Sequence, residues 1–459
     1  MQKKNHSPWL YQLDRDRSVA RLESDVSADV AIVGAGIAGV STAYFTLSKT
    51  SRSVALIERS RLAHGATGHN AGYIVADFER PLPDLEREFG FEKTAEALRC
   101  IERGWALLDE MYHGAGLGVP LARFTEETGL LDLNHVKIFA AEADFRRRAG
   151  LAFFPVKVAK GRITPDALAD VDPALIVWVE EDEIREALET KSDRYVGLAE
   201  EPGGVANSAL LCQEVVRFMQ KTYPDRFRLY EETKIEKVVL KEEGVILDAG
   251  VATVTCAEVV LCTNGFEDFT IIGEGGLCLD KEFHRNIRGV VGYMSGYLVP
   301  MRRPEALLVY LESKGFSEED VYYYVSRRAY EYDRQSGARH NLISVGGPQV
   351  VLEDHNVYSF GDEYPADRAA EIQRFVDATY GKDTPGEEHQ VFNWHGLMGY
   401  TRGMVRMVGP HPSAPRLLYN LGCNGIGLLP SIWGGETVAR YLAGEKVPRT
   451  IFTPEAGTC

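Results

Sequence analysis

The first sixty residues alternate between short apolar runs and a glycine-rich, helix-forming stretch. Val30–Val33 is an apolar, mostly β-branched run, and Val54–Ile57 is a second one. Between them, the spacing of apolar positions in Val40–Lys49 predicts a helix. Because continuous apolar runs on both sides of a helix are typical of buried parallel strands, residues 29–58 predict a β-α-β unit.

The rest of the chain mixes helical and extended patterns. Residues 79–112 predict two helices, residues 207–222 predict a third with one apolar side, and a further helix begins near Ser431. Alternation of apolar and polar positions predicts strands within residues 227–239, 245–262, 288–299 and 321–347. Gly337 falls in a predicted hairpin loop, and residues 113–205 predict only short strands and turns.

Three glycines, Gly34, Gly36 and Gly39, separate the first strand from the helix in the pattern G-x-G-x-x-G. The first permits a tight turn, the second lets the backbone approach a pyrophosphate, and the third lets the helix pack close to the strand. The helix start, with Ile37 and Ala38, presents free N–H groups to phosphates. In this context the motif predicts a dinucleotide site, with a glycine-rich turn that binds no ligand as the alternative.

The end of the second strand adds a ribose-binding candidate. Glu58 stands where a carboxylate accepts hydrogen bonds from a ribose and disfavours a 2′-phosphate, and Arg59 follows it. The next segment of small residues lets backbone approach a flat ligand. Its candidate contacts are Gly65, Ala66, Thr67, His69, Asn70, Ala71 and Gly72. These residues by themselves leave FAD and NAD open.

Four stretches carry a resemblance to a known family. GATGHNAG, at Gly65–Gly72, resembles the loop G-A-S-G-R-N-G-G that follows the ribose-binding acid in the D-amino-acid oxidase-like FAD-dependent oxidoreductases. Ser7–Leu10, Glu258–Gly265 and Leu418–Gly427 resemble other motifs of the same family. That family includes glycine and sarcosine oxidases, D-amino-acid dehydrogenases and gamma-glutamylputrescine oxidase-like enzymes.

The resemblance implies an α/β fold with two interleaved domains. One is a Rossmann-type FAD-binding domain of the glutathione-reductase-like kind, expected at residues 1–75, 205–266 and 391–459. The other is an α+β substrate domain around a mixed β-sheet, expected at residues 76–204 and 267–390. The active site would lie between them, against the flavin ring.

The resemblance also extends the expected FAD contacts beyond the first unit. The additional residues are Val238, Thr263, Asn264, Gly265, Trp394, Gly396, Gly422, Asn424, Gly425, Ile426, Gly427 and Leu428. The helix after this last loop would aim its N-terminus at the cofactor and stabilise its reduced form. We expect FAD to be bound without a covalent link. A link through His69, which falls on the flavin-bonded histidine of one branch, is the alternative.

The family chemistry implies oxidation of a C–N bond in a small amine or amino acid by hydride transfer to flavin N5. The resulting imine would hydrolyse, and oxygen or a quinone would accept the electrons. An arginine would hold a substrate carboxylate, and tyrosines would line the pocket. The candidate catalytic residues are Arg288, Tyr324, Arg327 and His395, with Arg328, Arg402, Tyr293 and Tyr322 as further candidates.

Composition narrows the remaining possibilities. The formal net charge of −16 disfavours a nucleic-acid partner, and it fits either a solvated acidic surface or attraction of cationic amines. The pattern predicts no secretory signal and no membrane-spanning segment, and the seven cysteines show no C-x-x-C spacing, so we expect a cytoplasmic protein. A flavin monooxygenase and a flavin-bound protein without turnover stay as alternative functions. The alternative without turnover stays open because Gly403 stands where the resemblance implies an aspartate.

Overall fold

The computed structural model describes residues 3–14, 16–279, 287–301, 303–313, 322–332, 339–381 and 385–455. Gly337 and Cys459 lie outside these residues, and the other six cysteines are free thiols. In the described part, no helix is long and apolar enough to cross a membrane. Its helices are α1 (Pro8–Tyr11), α2 (Ile37–Lys49), α3 (Leu82–Phe89), α4 (Phe91–Ala115), α5 (Leu133–Arg148), α6 (Glu181–Ala187), α7 (Ser208–Thr222), α8 (Ala366–Tyr380) and α9 (Leu428–Leu442).

The strands of the described residues form two six-stranded sheets, one ten-stranded sheet and a two-stranded pair. They are β1 (Lys3–Lys4), β2 (Val26–Ser27), β3 (Val30–Val33), β4 (Val54–Ile57), β5 (Tyr73–Val75), β6 (Leu121–Leu130), β7 (Val156–Ala159), β8 (Ile176–Val179), β9 (Gly197–Ala206), β10 (Phe227–Tyr230), β11 (Lys237–Lys241), β12 (Gly244–Asp248), β13 (Thr253–Cys256), β14 (Glu258–Leu261), β15 (Thr270–Ile272), β16 (Cys278–Leu279), β17 (Ile287–Pro300), β18 (Ala306–Leu311), β19 (Tyr322–Glu331), β20 (Arg339–Leu352), β21 (Glu363–Tyr364), β22 (Gln390–Thr401), β23 (Met407–His411) and β24 (Ala414–Leu421).

The first six-stranded sheet has the order β10-β4-β3-β14-β24-β23 and is parallel except for the β23–β24 pair. Strands β3 and β4 pair in parallel with Val30 opposite Val54, and α2 connects them. The predicted β-α-β unit is therefore confirmed. Its helix begins at Ile37, three residues before the predicted Val40.

This parallel sheet is covered on both faces, which explains its continuous apolar strands. Val30 and Ile32 pack with the helices, including Val40 of α2 and Ile432 of α9. The alternate residues of β3 face the second six-stranded sheet, ordered β16-β15-β11-β12-β13-β2, where they meet Val238 and its neighbours. The predicted strand around Val238 thus belongs to this covering sheet.

The ten-stranded sheet is mixed, with the order β22-β17-β20-β19-β18-β6-β9-β7-β8 and β5 paired to β9. Its β6–β18 and β7–β8 pairs are parallel, whereas its other pairs are antiparallel. On one face, Tyr323 stacks on Phe375 of α8 at a ring-centroid distance of 4.0 Å. Because side chains alternate along a strand, Tyr322 and Tyr324 point to the opposite face.

The predicted fold class is confirmed, whereas the residue boundaries of the two domains stay a prediction. The expectation that residues 113–205 contain only strands and turns was wrong. They include α5 and α6, and the buried residues of α5 include the polar or charged His135, Glu142 and Arg146. A helix whose buried side carries polar side chains gives a weak apolar pattern, which is why the sequence did not reveal it.

Candidate functional site

A long cavity begins at the carboxyl ends of the parallel strands and extends to the ten-stranded sheet. Its strand-end walls are the loops that follow β3, β4, β14 and β24. At the other end, β17, β19 and β22 contribute Met294, Tyr324 and Gly396, among others. The parallel strands and the large sheet therefore share one cavity.

The turn between β3 and α2 accepts only glycine at two positions. Gly34 has a positive φ of 102°, and a Cβ there would lie 2.6 Å from the carbonyl oxygen of Cys262. A Cβ on Gly39 would collide with the carbonyl oxygen of Gly34, so the helix packs directly on the turn. The N-terminus of α2 consequently opens onto the cavity, where its N–H groups suit a pyrophosphate.

Glu58 lines the same end of the cavity. Its Oε2 accepts a hydrogen bond from the backbone N–H of Ala35 at 2.9 Å, and its Oε1 accepts one from the N–H of Ser60 at 2.8 Å. Burial raises the pKa of Glu58, although these two hydrogen bonds oppose that shift. Each oxygen retains a lone pair, so the carboxylate can still accept ribose hydroxyls.

Residues 65–72 form a loop held from several sides. Asn70 donates from Nδ2 to Thr67 O at 3.0 Å and accepts at Oδ1 from Gly72 N at 2.8 Å. Its carbonyl oxygen accepts from the indole N–H of Trp9 at 2.7 Å and from that of Trp394 at 3.1 Å. The two tryptophans come from opposite ends of the chain, and both are fully buried.

His69 lies on the cavity side of this loop. Its Nδ1 is 3.0 Å from the carbonyl oxygen of Gly65, which can only accept, so Nδ1 carries the proton. The ring stacks on Phe360 at 4.9 Å. Because burial lowers the pKa of His69 to about 4, its imidazole is neutral at pH 7.

The loop after β24 closes the cavity and is anchored by amides. Asn264, with φ of 61°, accepts at Oδ1 from the N–H of Cys423 at 2.7 Å. Asn420 accepts from Arg406 Nη2 at 2.8 Å and donates to the carbonyl oxygen of Ser431 at 3.0 Å. Burial lowers the pKa of Arg406 to about 10. This loop leads into α9, whose N-terminus opens at Gly427 on the cavity.

Most sequence-predicted cofactor residues line the cavity. They are Gly34, Gly36, Ile37, Ala38, Glu58, Arg59, Gly65, Ala66, Thr67, His69, Asn70, Ala71, Thr263, Asn264, Gly396, Gly425, Ile426, Gly427 and Leu428. Six others, Gly39, Gly72, Gly265, Trp394, Gly422 and Asn424, pack behind these walls. Val238 is buried in the covering sheet, and Thr233, Lys234 and Ile235 of the preceding segment line the cavity instead.

Of the four candidate catalytic residues, only Tyr324 lines the cavity in the described part of the chain. Arg327 faces away and forms two hydrogen bonds to Glu189, at 2.6 and 2.7 Å. His395 contacts Tyr358 OH through Nδ1 at 2.9 Å and the carbonyl oxygen of Asp362 through Nε2 at 3.0 Å. Arg288 lies 5.6 Å over the ring of Tyr400, behind the wall.

The further candidates divide in the same way. Tyr322 lines the cavity, whereas Tyr293 packs against His395. Arg402 is exposed, and the buried Arg328 lies over Trp9. Arg327 lies three residues after Tyr324 on the same strand, so the alternation of side chains places the two on opposite faces of the sheet. This could have been predicted from the sequence.

Sequence analysis missed three residues at the end of the cavity that the ten-stranded sheet forms. Glu79, Tyr73 and Tyr400 line the cavity there together with Tyr322 and Tyr324. The Tyr322 hydroxyl lies 3.5 Å from Glu79 Oε1. Burial, and then the charge of Asp77, raise the pKa of Glu79 to about 7. In the sequence, Glu79 is an acidic residue shortly after the glycine-rich loop. A single sequence does not distinguish such a residue from an acid on the surface.

A set of buried acids continues behind Glu79 around Arg146. Arg146 pairs with Glu102 at 2.7 Å and lies 3.7 Å from Asp77 and 3.9 Å from Glu201. Burial, and then the charge of Asp77, raise the pKa of Glu201 to about 8, and a hydrogen bond joins these two side chains. Among the described residues, no group of three or more metal-ligating side chains could hold a metal ion.

Comparison with known proteins agrees with this geometry. A family model described as FAD-dependent oxidoreductase (DAO) matches residues 29–441. Gamma-glutamylputrescine oxidoreductase of Escherichia coli (strain K12) is 34% identical over 77 residues, 17% of this chain and 18% of that protein. The matched part thus spans less than a fifth of this relative's length.

Two solved structures share the fold. Glycine oxidase from Geobacillus kaustophilus has a TM-score of 0.64 at 18% identity, over 93% of this chain and 98% of that one. NikD, an unusual amino acid oxidase essential for nikkomycin biosynthesis, has a TM-score of 0.64 at 11% identity, over 94% and 98% of the two chains. The glycine turn, Glu58 and the two helix N-termini fit FAD.

We predict that W394F loosens FAD, because the loop carbonyl of Asn70 loses one of its two indole donors. The loss of a buried hydrogen bond of about 1 kcal/mol corresponds to about five-fold faster FAD release. Recovery of FAD fluorescence after dilution of the holoprotein measures this rate. W433F, a similar truncation within α9, is the control, and equal release from both variants would contradict the prediction.

The fold raises the pKa of Glu201 from 4.5 to about 8, so between these pH values the folded protein holds a proton that the unfolded chain has released. We therefore predict that the free energy of unfolding falls as the pH rises through this range. In E201Q the amide stays neutral and still donates to Asp77, so the melting temperature should fall less over the same range. The control is E200Q, which removes a neighbouring acid paired with Lys157. Parallel curves for wild type and E201Q would contradict this assignment.

Proposed function

Because the chain belongs to the DAO family of FAD-dependent oxidoreductases, we propose that it oxidises the C–N bond of a small amine or amino acid. The similar proteins are named as an oxidoreductase of gamma-glutamylputrescine, an oxidase of glycine and an amino acid oxidase. These names favour a nitrogen-bearing substrate. The electron acceptor in this proposal is oxygen or a quinone.

The observation that carries the proposal is the continuity of the cavity. Its strand-end walls, with Gly36, Glu58 and loop 65–72, would hold FAD, and its far end is lined by tyrosines and Glu79. When bound there, FAD would supply the acceptor for a hydride from the substrate carbon. A substrate seated among the tyrosines would therefore face the redox cofactor within one continuous cavity.

The chain's own residues supply orientation and charge. The free N–H groups at the start of α9 favour negative charge in the cavity. Tyrosine rings exclude water around the reacting carbon, and the Glu79 carboxylate can hold the proton that the substrate nitrogen releases. As the carbon loses a hydride and the nitrogen a proton, a C=N bond forms, and water then converts this imine into a carbonyl compound and an amine or ammonia.

An anaerobic substrate screen tests the proposal. Holoprotein mixed with amines and amino acids should lose its yellow flavin absorbance with at least one of them, because electrons then remain on the cofactor. Bleaching by NADH or NADPH alone would instead indicate a flavin monooxygenase. Unchanged absorbance with every compound would indicate a flavin-bound protein without turnover.

A second prediction concerns how FAD is held. After acid precipitation, the yellow colour should stay in the supernatant, because the ring of His69 is held at Nδ1 by the carbonyl oxygen of Gly65 and is stacked on Phe360. Colour that remains in the protein pellet, and disappears from it in H69A, would indicate a covalent link through His69.

A further inference from the structure

The tyrosine-lined end of the cavity carries a buried carboxyl group, that of Glu79. Glu79 lines the cavity, and its Oε1 occupies the place where a side chain on Gly425 would begin. Gly425 belongs to the loop that leads into α9. The carboxylate therefore lies where the expected cofactor loop meets the tyrosine-lined end.

Four tyrosines share this end with Glu79. Tyr324 packs edge-on against Tyr73 at a centroid distance of 5.7 Å and at 5.8 Å from Tyr322. Burial, and then the charge of Glu79, raise the pKa of these three tyrosines and of Tyr400. All four rings thus lie within the electrostatic reach of one carboxylate. Aromatic faces beside an anion are a favourable environment for an organic cation.

The cations that line the described part of the cavity are occupied elsewhere. Lys234 pairs with Asp268 at 2.8 Å, and Arg59 lies 3.7 Å from the same carboxylate, near Glu58. Arg406 is held by Asn420. A substrate carboxylate next to Glu79 would meet a like charge in a medium of low dielectric constant, which makes its binding unfavourable.

We propose that the substrate is a cationic amine without a carboxylate beside its reacting carbon, and that Glu79 binds its ammonium group among Tyr73, Tyr322, Tyr324 and Tyr400. This assignment rests on the proposed amine oxidation, and it selects amines over amino acids. It makes Glu79 the residue that determines which charge the cavity accepts.

Two ligands of similar size and opposite charge test the assignment without turnover. Benzyltrimethylammonium and benzoate are titrated into the holoprotein, and binding is followed by the perturbation of the flavin absorption spectrum. Wild type should bind the cation at least about ten-fold more tightly than benzoate, because Coulombic and cation–π attraction both favour it. Tighter binding of benzoate would overturn the proposal.

The variant E79Q should lose most of this preference while it retains FAD, since glutamine has a similar shape and no charge. The control E88Q removes an acid from the nearby surface, where Glu88 pairs with Arg80, and should behave as wild type. Unchanged cation affinity in E79Q would also overturn the proposal. If E79Q fails to retain FAD, the wild-type comparison of the two ligands decides.

A paired substrate test separates this proposal from the broader one. Butylamine and 2-aminopentanoic acid differ only by a carboxylate on the reacting carbon. Faster anaerobic bleaching by butylamine supports the assignment, and faster bleaching by either enantiomer of the acid overturns it while amine oxidation survives. If neither compound nor any other amine bleaches the flavin, the proposed oxidation fails, and the ligand titration still decides the charge preference.

Discussion

The close packing of α2 on α9 is the contact on which the rest of the site depends. A Cβ on Gly435 would lie 2.7 Å from both Ser41 Oγ and Thr42 N, so the two helices approach at backbone distance. Ser41 Oγ also donates to the carbonyl oxygen of Ser431 at 3.1 Å. Because both helices start on the cavity, this contact fixes the two N-termini relative to each other. Their separate loops thereby act on one bound molecule.

The charge of the cavity is set by burial as much as by composition. Glu79 and Glu201 are acids that would be ionised in water, yet their pKa values lie near neutrality because the fold removes them from solvent. Such buried acids make folding less favourable, because burial disfavours their charged form. Their raised pKa values mean that a fraction of each group is protonated at pH 7.

Local patterns predicted the residues that line the strand-end walls of the cavity much better than those that line its tyrosine-lined end. Glycine spacing and the strand-end Glu58 depend on neighbouring residues, so a sequence displays them directly. Glu79 follows β5 and Tyr400 lies on β22, and both line one cavity only because the fold brings these distant segments together, which no local pattern records. The prediction for Arg327 rested on its suitable chemistry, but its side chain lies on the face of β19 that points away from the cavity. The helix α5 was missed because its buried side includes polar side chains such as Glu142 and Arg146, which weaken the apolar pattern.

The anchoring of loop 65–72 has a consequence for how the protein is made. Asn70 is held by Trp9 and Trp394, and the loop into α9 lies later still in the chain. On the ribosome, the early β-α-β unit can form while most of the chain is unmade, but the pocket around it stays open. FAD therefore meets its complete binding site only when synthesis has passed residue 428, so cofactor capture is one of the last events in the maturation of this protein.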